Sequence, residues 1–434
     1  MRIVADLELH SKYARAVSSS MTLPTIASWA DKKGIDLVGT GDFTHPMWFK
    51  ELEANLKETE NGIYKLKKSK SKTRFLLTSE ISCIYSHKGK GRRVHLLVYL
   101  PKLSDVKKFN SELTKHGANL FSDGRPIVGL SLYQVASIAF SVNSGALVIP
   151  AHVWTPWYGF YGQMSGYESL YDAFEDLTDN IPAVETGLSS DPAMNWKIEE
   201  NLNRRIVSFG DAHSPQKLGR ESTVFQVDEL TYDAVHDALW DKGSSKILYT
   251  IEFYPEEGKY HYTGHRKCKV VYSPKETKSK GLSCPVCGKN LTIGVVSRVE
   301  KLASFEIETE AETDKNGVRW IKDRKGKRKP YVMMVPLMEI IAESFGVGVA
   351  TKAVQSTYEK MISELGNEFK ILFETGFQDI NKNVGSKIAE AVKKVRAGDI
   401  FIAPGYDGVF GEVKIWKDER DVEIGGPSGQ DTLF

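Results

Sequence analysis

The sequence predicts an α/β protein whose parallel sheet closes into a barrel, and three observations support this prediction. Short β-rich segments alternate with amphipathic segments from residue 1 to about residue 230. This alternation is typical of strand–helix–strand units and therefore of a parallel sheet. Seven or eight such units in succession favour closure into a β/α barrel. An open doubly wound sheet is the alternative, but no Gly-rich phosphate loop follows the first predicted strand.

The predicted elements follow one another in a regular order. The strands are rich in β-branched and apolar residues, and they span residues 2–9, 36–42, 74–85, 93–100, 145–153, 182–187, 205–213 and 222–228. The helices have apolar residues at helical spacing, and they span residues 23–34, 46–58, 104–117, 132–145, 167–179 and 191–205.

The remaining sequence indicates further domains, since 434 residues exceed one ordinary core. The strand–helix rhythm breaks at 250–330, the pattern becomes helical from residue 331 to about residue 397, and 404–416 suggest a turn with a final strand or hairpin. We therefore expect a barrel at 1–245, a zinc-binding module at 246–330, a mainly helical region at 331–420 and a flexible tail at 421–434.

Composition and charge exclude some classes of protein. The chain is 41% hydrophobic and 26% charged, as in soluble globular proteins. No apolar run approaches the ~20 residues that a membrane helix needs. The net charge of +2 does not by itself indicate nucleic-acid binding. Two local basic runs, at 65–74 and 322–329, suggest DNA contacts, with solvated loops as the alternative reading.

Potential metal ligands occur where predicted strands end. In a β/α barrel the carboxyl ends of the strands meet at the active site, and the candidates there are Asp6, Glu8, His10, Asp42, His45, Glu80, His152, Glu185, Asp211 and His213. His95 lies inside its own strand. Mixed imidazole and carboxylate ligands suit Zn²⁺, Mn²⁺ or Fe²⁺. Clusters of such ions favour phosphate-ester hydrolysis by a metal-activated water.

A second constellation contains three of the four cysteines. His265 and Cys268 form one pair with two intervening residues, and Cys284 and Cys287 form another. One imidazole and three thiolates at this spacing predict a closed structural Zn²⁺ site in a reducing cytoplasm. His261 is the competing fourth ligand. Cys83, in an apolar strand, is expected to be a core residue.

Several motifs together resemble a known superfamily. DLELHS, GTGDFTH, TSEIS, RVHLLVYLP, PAHVWTPW and GDAHSP are similar to the ordered motifs of the polymerase-and-histidinol-phosphatase (PHP) superfamily. With GHRKC, CPVCGK, LTIGVVSRVEKLA and PGYDG, they resemble the endonuclease Q family over almost the whole chain. The resemblance implies a distorted (β/α)7 barrel with a trinuclear metal site. It also implies nicking of DNA 5′ to uracil, hypoxanthine, xanthine or an abasic site.

The resemblance further implies a ligand set. The first ion would take Glu8, His10, Glu80 and Asp211, the second Glu80, His95 and His152, and the third Asp42, His45 and His213. Glu80, Asp211 and His152 would be the catalytic residues, with Glu80 bridging two ions. Two departures matter: Glu8 stands where the superfamily more often has His, and Tyr13 and Arg15 lie where many members have a further His. Glu8 gives a harder ligand set, so Mg²⁺ or Mn²⁺ are alternatives to Zn²⁺ at the catalytic cluster.

Two other functions remain open at this stage. A small-molecule phosphatase of histidinol-phosphatase type would use the same barrel, but it leaves the zinc module unexplained. A catalytically inactive DNA-binding scaffold is disfavoured by the near-complete ligand set. For the endonuclease, aromatic residues near the site would hold an extruded base. The candidates are Trp48, Trp154, Trp157, Tyr158, Phe160 and Tyr161.

The last five residues predict a partner. Residues 430–434 read QDTLF, which resembles the start of the motif by which repair enzymes dock on the sliding clamp. Gln430, Leu433 and Phe434 would make this contact, although the motif's later aromatic pair is lacking. We expect a monomeric, cytoplasmic and nucleoid-associated protein.

Overall fold

The structure, a computed structural model, describes residues 1–417 and divides the chain into two compact units, Met1–Thr250 and the part from Ile251 onward. Of the predicted zinc module at 246–330, residues 251–330 lie in the second unit, as do the described residues of the predicted helical region. The predicted clamp-binding residues Gln430, Leu433 and Phe434 lie outside the described residues. Among the described residues, the structure contains no helix with the length and apolar character that crossing a membrane requires.

The first unit alternates strands and helices, as predicted. Its strands are β1 (Arg2–Asp6), β2 (Leu37–Gly39), β3 (Leu56–Glu60), β4 (Ile63–Leu66), β5 (Arg74–His87), β6 (Lys90–Leu100), β7 (Ile127–Val128), β8 (Leu147–Pro150), β9 (Ala183–Glu185), β10 (Arg205–Val207), β11 (Ser222–Gln226) and the start of β12 (Lys246–Glu252). Its helices are α1 (Leu23–Lys33), α2 (Pro46–Asn55), α3 (Leu103–Lys115), α4 (Leu132–Val142), α5 (Tyr171–Phe174), α6 (Pro192–Trp196) and α7 (Tyr232–Trp240). Each of the eight predicted strands overlaps an observed one, so these predictions are confirmed.

The large sheet of this unit is mixed rather than parallel. The order β12-β11-β1-β2-β5-β4-β3 combines parallel pairs, β1 with β2 and β2 with β5, with antiparallel neighbours on both sides. β6 pairs antiparallel with β5 and with β8, while β9 and β10 form a separate parallel pair. The expected α/β class is confirmed, but the expectation of a wholly parallel sheet is wrong.

The antiparallel β5–β6 hairpin has a local cause. Its turn contains only Lys88 and Gly89, whose φ angles are 48° and 74°. Two-residue hairpin turns of this kind need positive φ at both positions, because their twist then matches that of the strands. The register runs without a shift from Leu77 opposite Leu100 to His87 opposite Lys90. The two long strands are therefore held as one rigid ribbon.

Three predicted helical segments contain other structure in part. The predicted helix at 46–58 ends at Asn55, and residues 56–60 form β3 instead. The segment 167–179 contains the four-residue helix α5 followed by a 3₁₀ helix, Glu175–Asn180. The segment 191–205 contains α6 and a 3₁₀ turn, Glu199–Asn201. The first segment buries Tyr167 and Phe174 and the second buries Trp196, so these side chains serve loop packing rather than one helical face.

Alternate residues of the strands build the core of the first unit. Side chains two residues apart point to the same face of a strand. One cluster therefore joins Ile3 with Ala5, Leu97 with Tyr99, and Leu147 with Ile149. The polar candidates for the functional site lie beyond the carboxyl ends of β1, β2, β8 and β10, and in the middle of the β5–β6 hairpin, where Glu80 and His95 are located.

The first basic run lies at the other end of the strands. Arg74 begins β5 opposite Leu37, the first residue of β2, and residues 67–73 precede it. Thr73 is anchored there by a hydrogen bond from its hydroxyl to the carbonyl of Ile35, just after α1. Glu80 lies six residues farther along β5, so about 20 Å of strand separates it from Arg74. This run therefore does not flank the carboxyl ends of the strands.

The second unit combines small hairpins with a helical region. Its strands after β12 are β13 (Thr263–His265), β14 (Val270–Tyr272), β15 (Thr309–Thr313), β16 (Arg319–Asp323), β17 (Tyr331–Met333), β18 (Phe401–Ala403) and β19 (Glu412–Lys414). Its helices are α8 (Pro274–Lys280), α9 (Val295–Leu302), α10 (Leu337–Phe345), α11 (Lys352–Leu365), α12 (Glu368–Phe373), α13 (Phe377–Val384) and α14 (Ser386–Ala397). The predicted helical character of 331–397 and the final hairpin are confirmed.

The second basic run forms the turn between β16 and β17. Asp323 accepts hydrogen bonds from the backbone amides of Lys325 and Lys327 and so shapes this turn. Arg324 forms an exposed ion pair with Glu308 on the approach to β15. The turn therefore presents lysines to solvent, but part of its charge is already paired.

Candidate metal centre

Two chain segments meet where β1 and β10 have ended. His10 donates its backbone amide to the carbonyl of Ala212 at 3.1 Å, and Leu9 forms a parallel bridge with Ala212. The bridge places the Glu8-x-His10 pair beside the Asp211-x-His213 pair. Residues separated by more than two hundred positions thus supply neighbouring side chains.

The backbone is unusual at three of the predicted ligands. Asp42, His152 and Asp211 have φ angles of 47°, 30° and 43°. Positive φ costs energy for residues other than glycine, and such strain is concentrated at functional sites. Each of the three residues follows a strand, so the strained turn aims its side chain back over the strand ends.

Glu80, His95 and His152 form the first ligand group, and all three are buried. Their candidate ligand atoms lie within 4.8 Å of one another. His152 Nε2 is 3.1 Å from Glu80 Oε1, and His95 also contacts that oxygen. His152 is oriented by Thr155, whose hydroxyl lies 2.6 Å from Nδ1. The group matches the set that the resemblance implies for the second ion.

A second group consists of Glu8, Glu80 and Asp211, again with ligand atoms within 4.8 Å. His10 adjoins this group, because its Nε2 lies 3.1 Å from Glu80 Oε2 and 3.2 Å from Asp211 Oδ1. The four residues implied for the first ion are therefore together. Glu80 belongs to both groups, as a bridging carboxylate would.

The set implied for the third ion is not assembled as expected. The third group in the first unit is His10, Asp211 and His213, which contains neither Asp42 nor His45. Asp42 instead accepts hydrogen bonds from His10 Nδ1 at 2.9 Å and from the amide of Ser11 at 2.5 Å. Since these contacts engage both of its oxygens, Asp42 orients the His10 ring.

His45 and Asp6 also have other partners. The His45 ring stacks on Tyr13, with centroids 4.6 Å apart. Tyr13, which stands near where the resemblance suggests a further His, therefore packs against the His45 ring. Asp6 accepts hydrogen bonds from the amides of Gly210 and Gly219. It therefore shapes the segment that carries Asp211.

The electrostatics of the cluster fit divalent cations. Glu8 and Glu185 are completely buried neighbours, and burial followed by the charge of Glu185 raises the pKa of Glu8 well above its ordinary value. Both oxygens of Glu8 and one of Glu185 are buried without a hydrogen-bond donor among residues 1–417. Buried carboxylate oxygens need such a partner or a metal ion. The donor set therefore suits metal ions with mixed oxygen and nitrogen ligands.

The sequence did not single out Arg125. Its guanidinium lies 3.0 Å from Glu80 Oε2 and is one-quarter exposed. A lone arginine in a loop carries no spacing signal. Glu185 was predicted near the site, but its role was not: it accepts a 2.6 Å hydrogen bond from the amide of His152.

The aromatic residues predicted to surround the site are mostly core. Trp48, Trp154, Phe160 and Tyr161 are buried, and the Trp48 indole donates to the carbonyl of Gly41. Only Trp157 and Tyr158 of the six are partly exposed. The Tyr158 ring lies 4.5 Å from that of His95. Tyr158 thus lies beside the cluster, whereas four of the six aromatic rings pack inward.

The second unit brings together His265, Cys268, Cys284 and Cys287, with ligand atoms within 4.8 Å. The hairpin β13–β14 supplies the first two residues, and a turn closed by Gly288 at φ 71° supplies the others. Burial opposes ionisation of Cys284, but amides of Cys287 and Val286 donate to its sulfur and lower its pKa to about 6. His261 is buried elsewhere and is not part of this group.

Comparisons with known proteins cover nearly the whole chain. The model of the MJ0043 C-terminal domain matches residues 336–399. The uncharacterized protein YqxK of Bacillus subtilis is 30% identical over 95% of this chain and 99% of its own length. The uncharacterized protein MJ0043 of Methanocaldococcus jannaschii is 33% identical over 60% of this chain, which spans only 31% of that relative.

Two solved structures are similar throughout. The lesion-specific endonuclease Q of Pyrococcus furiosus has a TM-score of 0.81 and 32% identity, covering 98% of this chain and 99% of its own. Endonuclease Q in complex with a 27-mer duplex substrate, with an abasic lesion at its active site, has a TM-score of 0.80 and 33% identity over 98% of both chains. The chain therefore belongs to the endonuclease Q family.

Proposed function

We propose that this protein is a DNA-repair endonuclease that hydrolyses the phosphodiester on the 5′ side of a deaminated base or an abasic site. The observation that carries the proposal is the cluster around Glu80 in a chain that matches endonuclease Q along 98% of its length. A solved relative holds duplex DNA with an abasic lesion at its active site. Duplex DNA is therefore the substrate class, and uracil, hypoxanthine and xanthine are the proposed deaminated bases.

The ligand atoms of the cluster suit divalent ions, and different residues would bind each ion. Glu80 would bridge two ions, with His95 and His152 on one side and Glu8 and Asp211 on the other. When bound, such ions lower the pKa of a water molecule and neutralise charge on phosphoryl oxygens. Zn²⁺ is the proposed ion, with Mn²⁺ or Mg²⁺ as alternatives because Glu8 is a hard ligand.

Other residues hold the ligands in place. Asp42 fixes the ring of His10, Thr155 fixes the ring of His152, and Glu185 fixes the backbone at His152. Such partners select the imidazole tautomer and the direction of its free nitrogen. They limit the movement of the cluster, so little reorganisation is needed during hydrolysis.

The group formed by His265, Cys268, Cys284 and Cys287 is proposed to hold a structural Zn²⁺. Four protein ligands close a tetrahedral site and leave no position for substrate. The small cluster of Val270, Tyr272 and Leu291 packs around Cys284, so metal binding would be coupled to folding. The proposed domains are a barrel, a zinc module, a helical region and a clamp-binding tail. The protein is proposed to be a monomer associated with the nucleoid.

A small-molecule phosphatase is not favoured, because the similarity to endonuclease Q extends through the second unit. Purified protein with added Mn²⁺ or Zn²⁺ should nick a labelled duplex containing uracil or an abasic analogue at one position, 5′ to the lesion. The undamaged duplex and p-nitrophenyl phosphate are the comparison substrates. Equal cleavage of both duplexes, or hydrolysis of p-nitrophenyl phosphate without nicking, would show that the proposed function is wrong.

A further inference from the structure

The end of the β5–β6 hairpin is strongly basic. Residues 88–93, which we call the hairpin tip, contain Lys88, Lys90, Arg92 and Arg93, and the sequence has no acidic residue between Glu80 and Asp105. The same two strands carry Glu80 and His95 of the metal cluster. A concentrated positive charge is therefore built into the element that supplies two ligands.

Arg93 lies on the same face of the hairpin as these ligands. Glu80 is opposite Leu97, and His95 and Arg93 precede Leu97 by two and four residues. Because side chains alternate along a strand, all of them point to one face. Arg93 is thus about 7 Å beyond His95, too far along the strand to join the ligand group.

The hairpin tip is held firmly and projects into open space. A Cβ atom built on Gly89 or Gly91 would meet no atom within 4 Å. At the base of the tip, the Ser165 hydroxyl donates to the carbonyl of Arg93 at 3.1 Å. Tyr85 and Tyr167 are joined by a hydrogen bond of 2.6 Å between their hydroxyl groups. The position of the tip is therefore fixed relative to the cluster.

The four cations of the tip differ in their partners. Arg92 packs over the ring of Tyr167 at 4.0 Å and has a structural role. Lys88 pairs with Asp172, but both side chains are more than half exposed, and such pairs are weak. Lys90 and Arg93 are exposed, and neither side chain has a partner among residues 1–417. Two cations of the tip are therefore available to bind an anion.

We infer that Arg93 and Lys90 bind backbone phosphates of the duplex next to the bond that is cleaved. This inference rests on the proposed function and names the surface that places DNA over the cluster. Charge complementarity supports it for both residues. Arg93 also shares a face of the hairpin with Glu80 and His95, whereas Lys90 points to the other face, at the turn. Phosphate contacts position a protein on DNA without reading its sequence, so these residues should act equally on damaged and undamaged duplexes.

The test measures the salt dependence of binding. Lys90→Gln/Arg93→Gln is compared with wild type by fluorescence anisotropy on a duplex with a tetrahydrofuran abasic analogue, without added divalent metal. Each lost phosphate contact should reduce the slope of log K against log salt by about 0.9. We expect the slope in Lys90→Gln/Arg93→Gln to be smaller by about 1 to 2. Binding to the undamaged duplex should weaken equally. Lys90→Gln/Arg93→Lys should recover the part of the slope that one phosphate contact contributes.

The matched control is Lys70→Gln/Lys72→Gln, which removes two exposed cations from the amino end of β5. We expect it to leave the slope unchanged. An unchanged slope in Lys90→Gln/Arg93→Gln, or an equal reduction in the control, would overturn the inference. Nicking by the wild type after addition of Mn²⁺ tests the proposed function separately. If the wild type nicks normally and the variant has an unchanged salt slope, only the role of the tip is refuted.

Discussion

Arg125 donates a hydrogen bond to Glu80 Oε2 at 3.0 Å, which places a permanent positive charge beside the proposed bridging carboxylate. Arginine stays protonated at all pH values relevant to proteins. Burial would raise the pKa of Glu80, but the charges of His95 and Arg125 hold it well below its ordinary value. The cluster therefore keeps Glu80 ionised and ready to bind cations.

We predict that Arg125→Ala slows nicking by about 10²-fold, the typical effect of removing one preorganised electrostatic donor. Because Arg125 repels cations, the variant should bind Mn²⁺ at least as tightly as wild type. Arg125→Lys should retain part of the rate. Measurements of kcat/KM with Mn²⁺ titrations check both points, and the exposed Arg324→Ala serves as the control. A normal rate in Arg125→Ala would refute the prediction.

Glu80→Gln should abolish nicking while the fold survives. The substitution keeps the size of the side chain but removes the charge that would bridge two ions, so metal content should fall as well. Circular dichroism, metal analysis and nicking assays measure the three effects. Glu112→Gln is the matched control, because Glu112 is a partly exposed residue of α3 that pairs with Lys115. Correctly folded Glu80→Gln that nicks at the wild-type rate would exclude a multinuclear centre that depends on Glu80.

The sequence predicted the strands and most of the cluster because both depend on local pattern. Apolar runs ending in Glu8, Asp42 and Asp211 identify strand ends, and strand ends converge in an α/β fold. The structure does not group Asp42 and His45 with His213. Sequence position alone does not determine which side-chain atoms face each other, so this grouping could not be predicted. In the structure, His45 stacks on Tyr13, and Asp42 forms a hydrogen bond with His10.

Long-range geometry was the least predictable part. The antiparallel hairpin that carries Glu80 and His95 follows from the turn at Lys88 and Gly89, which a strand–helix count overlooks. Arg125 reaches Glu80 from a loop, and no periodicity identifies such a contact. The grouping of His265, Cys268, Cys284 and Cys287 was predictable because two short-range pairs define it.

Changing Cys284 and Cys287 together to Ser should remove about one tightly bound zinc per chain, because two of four proposed ligands are lost. The melting temperature should fall, since metal binding at such sites is coupled to folding. Cys83→Ala is the control: Cys83 is buried in β5 and belongs to no ligand group in residues 1–417, so zinc content should not change. Unchanged zinc content in the double variant would rule out this site.

Phe121→Ala should reduce nicking of duplex substrates more than nicking of single strands. Phe121 is 67% exposed, and its ring lies 6.1 Å from that of His45 at the edge of the cluster. An exposed aromatic side chain can enter a base stack while a damaged nucleotide is extruded, a step that costs a few kcal/mol in a duplex. We expect a decrease of about tenfold on duplex uracil DNA and little change on the single strand.

The control for Phe121 is Phe410→Ala, which removes a similarly exposed phenylalanine from the second unit. It should leave both rates unchanged. Equal losses on duplex and single-stranded DNA in Phe121→Ala would show that Phe121 does not assist extrusion. The strand preference, rather than the absolute rate, is therefore the decisive measurement.

Deletion of residues 430–434 should abolish binding to the sliding clamp without affecting DNA nicking. The sequence QDTLF resembles the start of a clamp-docking motif, and these residues lie outside the described structure. A contact made by about three side chains buries little surface, so the Kd should be on the order of micromolar. The truncated protein should nick a short lesion duplex normally but lose binding to the sliding clamp in a pull-down. Asp431→Ala/Thr432→Ala should keep the contact, whereas Leu433→Ala/Phe434→Ala should lose it; clamp binding by the truncated protein would place the contact elsewhere.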